Sequence, residues 1–233
     1  MWGSSDIEYA LQSGSYPRWH RNKFPHAFIK SILAPPAYPS EDQNHTKAAS
    51  LLFQPTFRCI FDDLISVAHF LNNKPPCVRI EPFTYQEILI SISYRLLHLC
   101  SPADLTHAFQ TDLEELCHFS MLAMITTLLF QHGAFGHLVA YKTLTERLQS
   151  AIERASKTEF MYDPIFLWAL FTGGISVFRN ASNKAWFSLL IKAYLSRFRI
   201  DDWADARIEI KKFPWIDIVH DCPGIELWRT LPQ

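Results

Sequence analysis

Glycine is scarce in this chain, with seven residues in 233. No G-x-G-x-x-G stretch and no Walker loop is present, so nothing here would cradle a nucleotide phosphate and no nucleotide cofactor is expected. Gly174-Ile175-Ser176-Val177-Phe178 lacks the second glycine of a nucleophile elbow. The five cysteines (Cys59, Cys77, Cys100, Cys117 and Cys222) are odd in number and form no C-x-x-C pair. That argues against a disulfide framework and against a zinc ribbon or finger. Reduced thiols in an intracellular compartment, nuclear or cytoplasmic, are the expectation.

A basic excess is missing as well. Lys and Arg number 22 against 23 Asp and Glu, for a net charge of -1, so direct binding to nucleic acid is not expected. Long apolar runs are also absent. MLAMITTLLF (121–130) and PIFLWALFTGGISVF (164–178) both fall short of the ~20 residues of a membrane span, so they read as buried helices and no membrane partner is expected. The stretch MWGSSDIEYALQSG carries acids and has no apolar centre, unlike a secretory signal.

Apolar and aromatic residues are plentiful. Hydrophobic residues make up 48% of the chain, with 18 Phe, 8 Tyr and 7 Trp, enough for one large core or two small ones. Six of the 14 prolines lie in the first 55 residues, so residues 1–55 are expected to be an irregular arm and 56–233 a helical domain. Within the arm, YPRWHRNKFPHAFIK (16–30) holds Arg18, Arg21, Lys23 and Lys30 and no acid. It reads as a basic strip across the surface, anchored by Trp19, Phe24 and Phe28, or as a nuclear-import or phosphate-binding patch.

From residue 56 the apolar spacing is helical. FRCIFDDLISVAHFLNN aligns Ile60, Leu64, Val67 and Leu71. Thr84–Glu87 reads as a capping box, and Ser101-Pro102 and Thr111-Asp112 as further helix starts. After a break at Gly133 and Gly136, Leu144, Leu148, Ile152 and Ala155 line up again. Asp163-Pro164 is an N-cap followed by proline at the first helical position, opening a helix apolar on every side and expected at the centre of the core. Ser188, Lys192, Ser196 and Arg199 mark one polar face of the next helix. Asp201 is expected to cap a helix whose Trp203, Ala206, Ile210 and Phe213 point inward. Strand-like alternation is scarce, so the expected fold is all-α, a multi-helix orthogonal or superhelical bundle.

The stretch FPWIDIVHDCPGIELW (213–228) gathers acids, a histidine and a cysteine among tryptophans. If residues 215–222 are helical, Asp217, His220 and Asp221 share a face, where an acid could orient the histidine as a general base or the three could take a metal. Chance amphipathic spacing gives the same trio, and Asp221 could instead cap a turn begun by Pro223. His132 and His137 flank a glycine-containing loop in QHGAFGH with no carboxylate or cysteine nearby. No metal is assigned to either group, and the catalytic candidates are Asp217, His220, Asp221 and His132. Arg95 and Arg179 adjoin apolar segments and are expected to make buried pairs or to meet an anionic ligand.

The order of landmarks in the C-terminal third is distinctive. A Leu-Trp-Ala-Leu-Phe helix leads to Gly-Gly and Phe-Arg (167–179). Trp186-Phe187 and Asp202-Trp203 each open a helix, Phe213-Pro-Trp-Ile-Asp217 follows, and Leu227-Trp228 closes. This order resembles the C-terminal part of the fungal-specific transcription factor domain, the helical regulatory region of zinc-binuclear-cluster regulators. The resemblance spans residues 57–231 and is looser ahead of 164. It implies that Trp215, Ile216 and Trp228 are core residues and that Asp217 stands at the family's recurrent acid. Pro214 replaces an apolar residue usual in the family and is expected to kink or divide the last two helices. Such regulators read DNA through a six-cysteine, two-zinc cluster, yet the first 58 residues here hold no cysteine.

The resemblance therefore implies a regulator-like protein without its own DNA-binding module. It would act through a protein partner (a regulator or a second copy of itself) or a small apolar effector, in control of a metabolic pathway. The rival expectation is a helical domain repurposed as a secondary-metabolite enzyme or carrier with an apolar pocket. Asp217, His220 or His132 would then be the acid–base groups.

Overall fold

In a computed structural model of the chain, residues 2–19, 26–33, 53–75, 77–106, 109–129, 141–179 and 184–232 are described, and every regular element among them is helical. The helices are α1 (Trp2–Ser13), α2 (His26–Leu33), α3 (Pro55–Asn73), α4 (Pro82–Leu99), α5 (Asp112–Leu129) and α6 (Lys142–Ala155). A 3-10 turn (Glu159–Tyr162) leads to α7 (Pro164–Ile175), α8 (Lys184–Phe198), α9 (Trp203–Ile210) and α10 (Asp217–Arg229). The fold is an all-α multi-helix bundle. None of the described helices is long and apolar enough to cross a membrane.

Proline opens α3, α4 and α7, where its missing N–H costs nothing. Asp163 caps α7 by accepting from the Ile165 N–H at 2.9 Å, as expected. Thr111 caps α5 through the Glu114 N–H at 3.1 Å. Two caps fall elsewhere than expected. α4 is capped by Glu81, whose carboxylate takes the Thr84 N–H at 2.8 Å, because Pro82 already starts the helix ahead of the Thr84 box. Asp202 rather than Asp201 caps α9, through the Asp205 N–H at 2.8 Å. Ser101-Pro102 starts no helix; the chain turns there, and Ala103 donates to the Gly14 carbonyl at 2.8 Å.

α5 and α7 have no solvent face, and they form the axis of the core. Every residue of α7 from Ile165 to Ile175 is buried, as is nearly all of α5. α5 packs on α4, α6 and α7, and α7 in turn carries α8, α9 and α10. On the other side, α4 packs against α1 and α3, and α3 against α2. The expected stripe on α6, from Leu144 to Ala155, is buried against α5.

The irregular arm expected over residues 1–55 is partly helical. α1 puts Ile7, Ala10 and Leu11 at i, i+3 and i+4, a stripe buried against α4 and α6. Ile29 and Leu33 of α2 are buried against α3 in the same way. Proline density misleads here because Pro17 follows α1 and Pro25 precedes α2, where proline interrupts neither. Trp19 anchors nothing; it is 70% exposed, while Arg18 lies over the Tyr9 ring at 5.2 Å. Phe24, Arg21, Lys23 and the Pro35–Pro39 stretch lie outside the described residues.

Three buried carboxylates tie the helices together, each with several donors, as a charge removed from water requires. Asp6 of α1 accepts from the Arg18 and Trp19 backbone N–H groups at 3.1 Å each and from the Tyr94 hydroxyl of α4 at 2.9 Å. Glu114 of α5 accepts from Gln54 N–H at 3.1 Å and Gln110 N–H at 2.9 Å, holding the approach to α3. Asp63 of α3 is fully buried between His26 Nδ1 and Arg95 Nη2, each at 2.6 Å. Burial pushes the Asp63 carboxyl up, against the pull of Arg95 and His26. Arg95 therefore makes the buried pair expected of it.

Candidate functional site

α10 begins at Asp217, so Asp217, His220 and Asp221 fall within one turn, as their spacing requires. The arrangement around them is structural. His220 is 1% exposed. Its Nδ1 accepts the Ile216 backbone N–H at 2.9 Å, and its Nε2 lies 2.9 Å from Thr127 Oγ1 on α5. The Thr127 hydroxyl donates to the Met124 carbonyl at 2.7 Å, so Nε2 carries the ring proton and donates to Thr127. Both nitrogens of a neutral imidazole are thus spent. Burial pushes its pKa down to about 3, opposed by the charge of Asp221. A general base needs a lone pair facing substrate, and a backbone N–H fills that position here.

The two acids belong to a second network. Arg207 of α9 places Nε at 3.0 and 2.9 Å from the Asp221 oxygens and Nη2 at 2.8 Å from one of them. The same Nη2 is 2.8 Å from Asp217 Oδ2, which also meets Lys211 Nζ at 2.7 Å. The Trp215 indole donates to Asp221 Oδ1 at 2.9 Å. Burial pushes the Asp221 carboxyl up, but hydrogen bonds from Arg207 and Trp215 and the charges of Arg207 and Lys211 hold it below the usual carboxylate range. Two carboxylates balanced by two cations leave no excess negative charge to attract a metal. Among the described residues no group of three or more His, Cys, Asp or Glu is arranged to hold one.

Partners far along the chain lock this segment in place. Asn72, in the last turn of α3, donates to the Trp215 carbonyl at 2.7 Å and accepts the Asp217 N–H at 2.9 Å. The Trp168 indole of α7 donates to the Pro214 carbonyl at 2.7 Å. Pro214 lies between α9 and α10, as expected of a residue that divides them. Pro223 begins no turn; α10 runs through it. Asn72, Thr127, Trp168 and Arg207 are missed from sequence, because a lone Asn, Thr, Trp or Arg in an amphipathic helix carries no signal of a partner so distant. His132 and His137 lie outside the described residues.

A different feature can accept a ligand. A pocket of about 200 Å³ opens between the end of α7, α8 and α10. Its walls are Ile175, Phe178, Phe187, Pro223 and Leu227, and the Phe178 and Phe187 rings stand 5.1 Å apart. Gly174 lies at the contact between these helices. A Cβ there would fall 2.5 Å from Leu227 Cδ2 and 2.9 Å from the Phe187 ring, so glycine is what lets α8 and α10 approach. Ser188 and Thr230 also border it. Arg179 and Glu226 face each other at its edge, 3.8 Å apart, with 46% and 58% of their side chains exposed. Arg179 is therefore not the buried pair expected; it sits on a rim where solutes can reach it. The pocket can hold one small, largely apolar molecule. No protein-family model matches the chain, and no curated protein or solved structure matches it either.

Proposed function

We propose that this chain is a transcription-factor-like regulatory protein that acts through a protein partner or a small effector, in control of a metabolic pathway. Any DNA reading would come from a module that these 233 residues do not contain. The observation that carries the reading is the use made of the acid–histidine stretch. Asp217, His220 and Asp221 are engaged by partners within the fold, while the open pocket next to α10 offers binding groups and an apolar wall. The order of helices from α7 to α10 and the burial of Trp215 and Ile216 support the resemblance to the fungal-specific transcription factor domain. Such a protein works in the nucleus or the cytoplasm.

The test is deletion of the gene in its source organism, followed by transcripts and metabolites measured together. A defined set of transcripts is expected to rise or fall. Steady transcripts with one accumulating intermediate would instead make the chain an enzyme or carrier, and the same pocket would then be its substrate site.

A further inference from the structure

The rim of the α7–α8–α10 pocket carries one charge of each sign, and that decides what fits it. Arg179 Nη2 and Glu226 Oε2 approach only to 3.8 Å, beyond hydrogen-bond length, and about half of each side chain is open to solvent. A pair held this loosely contributes little to folding. Glu226 presents its other oxygen, Oε1, at 3.9 Å from the Cys222 thiol. Below the pair, Phe178, Phe187, Leu227 and Ile175 make an apolar wall. The carboxyl end of α7, at Gly174 and Ile175, borders the pocket, and a helix C-terminus carries partial negative charge.

An anionic ligand would gain from Arg179 and lose against Glu226 and the helix end. A cation would meet the reverse. A molecule with both charged groups on one carbon and a short apolar body satisfies all three groups. The volume of about 200 Å³ lies below the roughly 300–1,000 Å³ of a drug-sized site, which limits that body to one apolar side chain. We infer that the pocket binds a zwitterionic α-amino acid with an apolar side chain. Its carboxylate pairs with the Arg179 guanidinium, its ammonium with Glu226 and the α7 carbonyl end, and its side chain fills the space beside Phe178 and Phe187.

This inference rests on the effector reading given above and names the effector's chemical class. It is tested by titration calorimetry of the whole chain with L-leucine and L-phenylalanine. The comparison ligands are 4-methylpentanoate, which keeps the acid alone, and 3-methylbutylamine, which keeps the amine alone. At least one of the two amino acids is expected to bind, and each single-charge analogue to bind on the order of tenfold more weakly, the scale of one lost charged hydrogen bond. Arg179→Gln should weaken the amino acid and the acid and should not weaken the amine. Glu226→Gln should weaken the amino acid and the amine only. Both positions are half exposed, so both variants should fold, which circular dichroism checks; the analogue series on the unaltered protein needs no variant. The inference falls if neither amino acid binds, if 4-methylpentanoate binds as tightly as leucine, or if both variants leave leucine binding intact. Because binding is read on purified protein and regulation on transcripts, the two failures are distinguishable. Absent binding with altered transcripts removes the effector class and keeps the regulator, while binding with unaltered transcripts does the reverse.

Discussion

The buried imidazole of His220 should make this protein sensitive to mild acid. In the unfolded chain the ring takes up a proton near pH 6.5; in the folded one, burial holds that event down to about 3. Between those values the unfolded state binds the extra proton, so stability falls as pH falls. The contribution is fully present above pH 6.5, declines through the interval, and is lost below about pH 3. At about 1.36 kcal/mol per pH unit, roughly 2 kcal/mol should disappear between pH 8 and pH 5. The structure explains why the proton is resisted: protonating Nδ1 would set two donors, the ring and the Ile216 N–H, against each other at 2.9 Å.

The assay is urea unfolding at a series of pH values on the natural chain and on His220→Gln. The glutamine can accept from Ile216 and donate towards Thr127, and it does not titrate. Asp63 and Asp221 titrate in both proteins, so their contributions cancel in the difference. The natural chain should lose stability more steeply from pH 6.5 to 5, by about 1 kcal/mol per unit or a little more. Parallel pH profiles would refute the reasoning and would mean that the ring is either charged when folded or not sealed from water.

Further outcomes follow from other contacts. Asp63→Asn removes the carboxylate facing Arg95, whose side chain is 13% exposed, and should cost about 3–5 kcal/mol in denaturant midpoint analysis; a loss under about 1 kcal/mol would mean that Asp63 is protonated in the fold. Asn72→Ala strips two hydrogen bonds from the α10 entrance and should cost about 2–4 kcal/mol, with an unchanged urea m-value. Gly224→Ala would set a Cβ 2.6 Å from Trp203 Cη2 and 3.0 Å from Trp215 Cζ2, so thermal unfolding should show about 1–3 kcal/mol of overpacking. Near-neutral behaviour there would show that the tryptophans can shift aside.

The all-α class, the two buried helices (one of them, α7, apolar on every side) and the α6 stripe could be read from the sequence alone. Each depends on spacing within one helix, and a period of 3.6 residues repeats the same information every turn. The Asp163 cap was legible for a similar reason, because cap and helix start lie within three residues. α1 and α2 were hidden by prolines that sit at their edges rather than inside them. The role of residues 213–221 could not be read locally at all. Spacing put Asp217, His220 and Asp221 on one turn, which suits a catalytic site and a structural knot equally well. What separates the two is where the donors and acceptors end up. Asn72 reaches across 143 residues to Trp215, and Thr127 lies 93 residues from His220. Contacts at that separation leave no periodic trace in the chain, and they exist only once α3, α5, α7 and α9 have packed. From residue 56 onward the sequence by itself determined most of the helices and the faces they bury. Tertiary packing decided that the acids and the histidine hold α10 in place and that Arg179 and Glu226 border an open pocket.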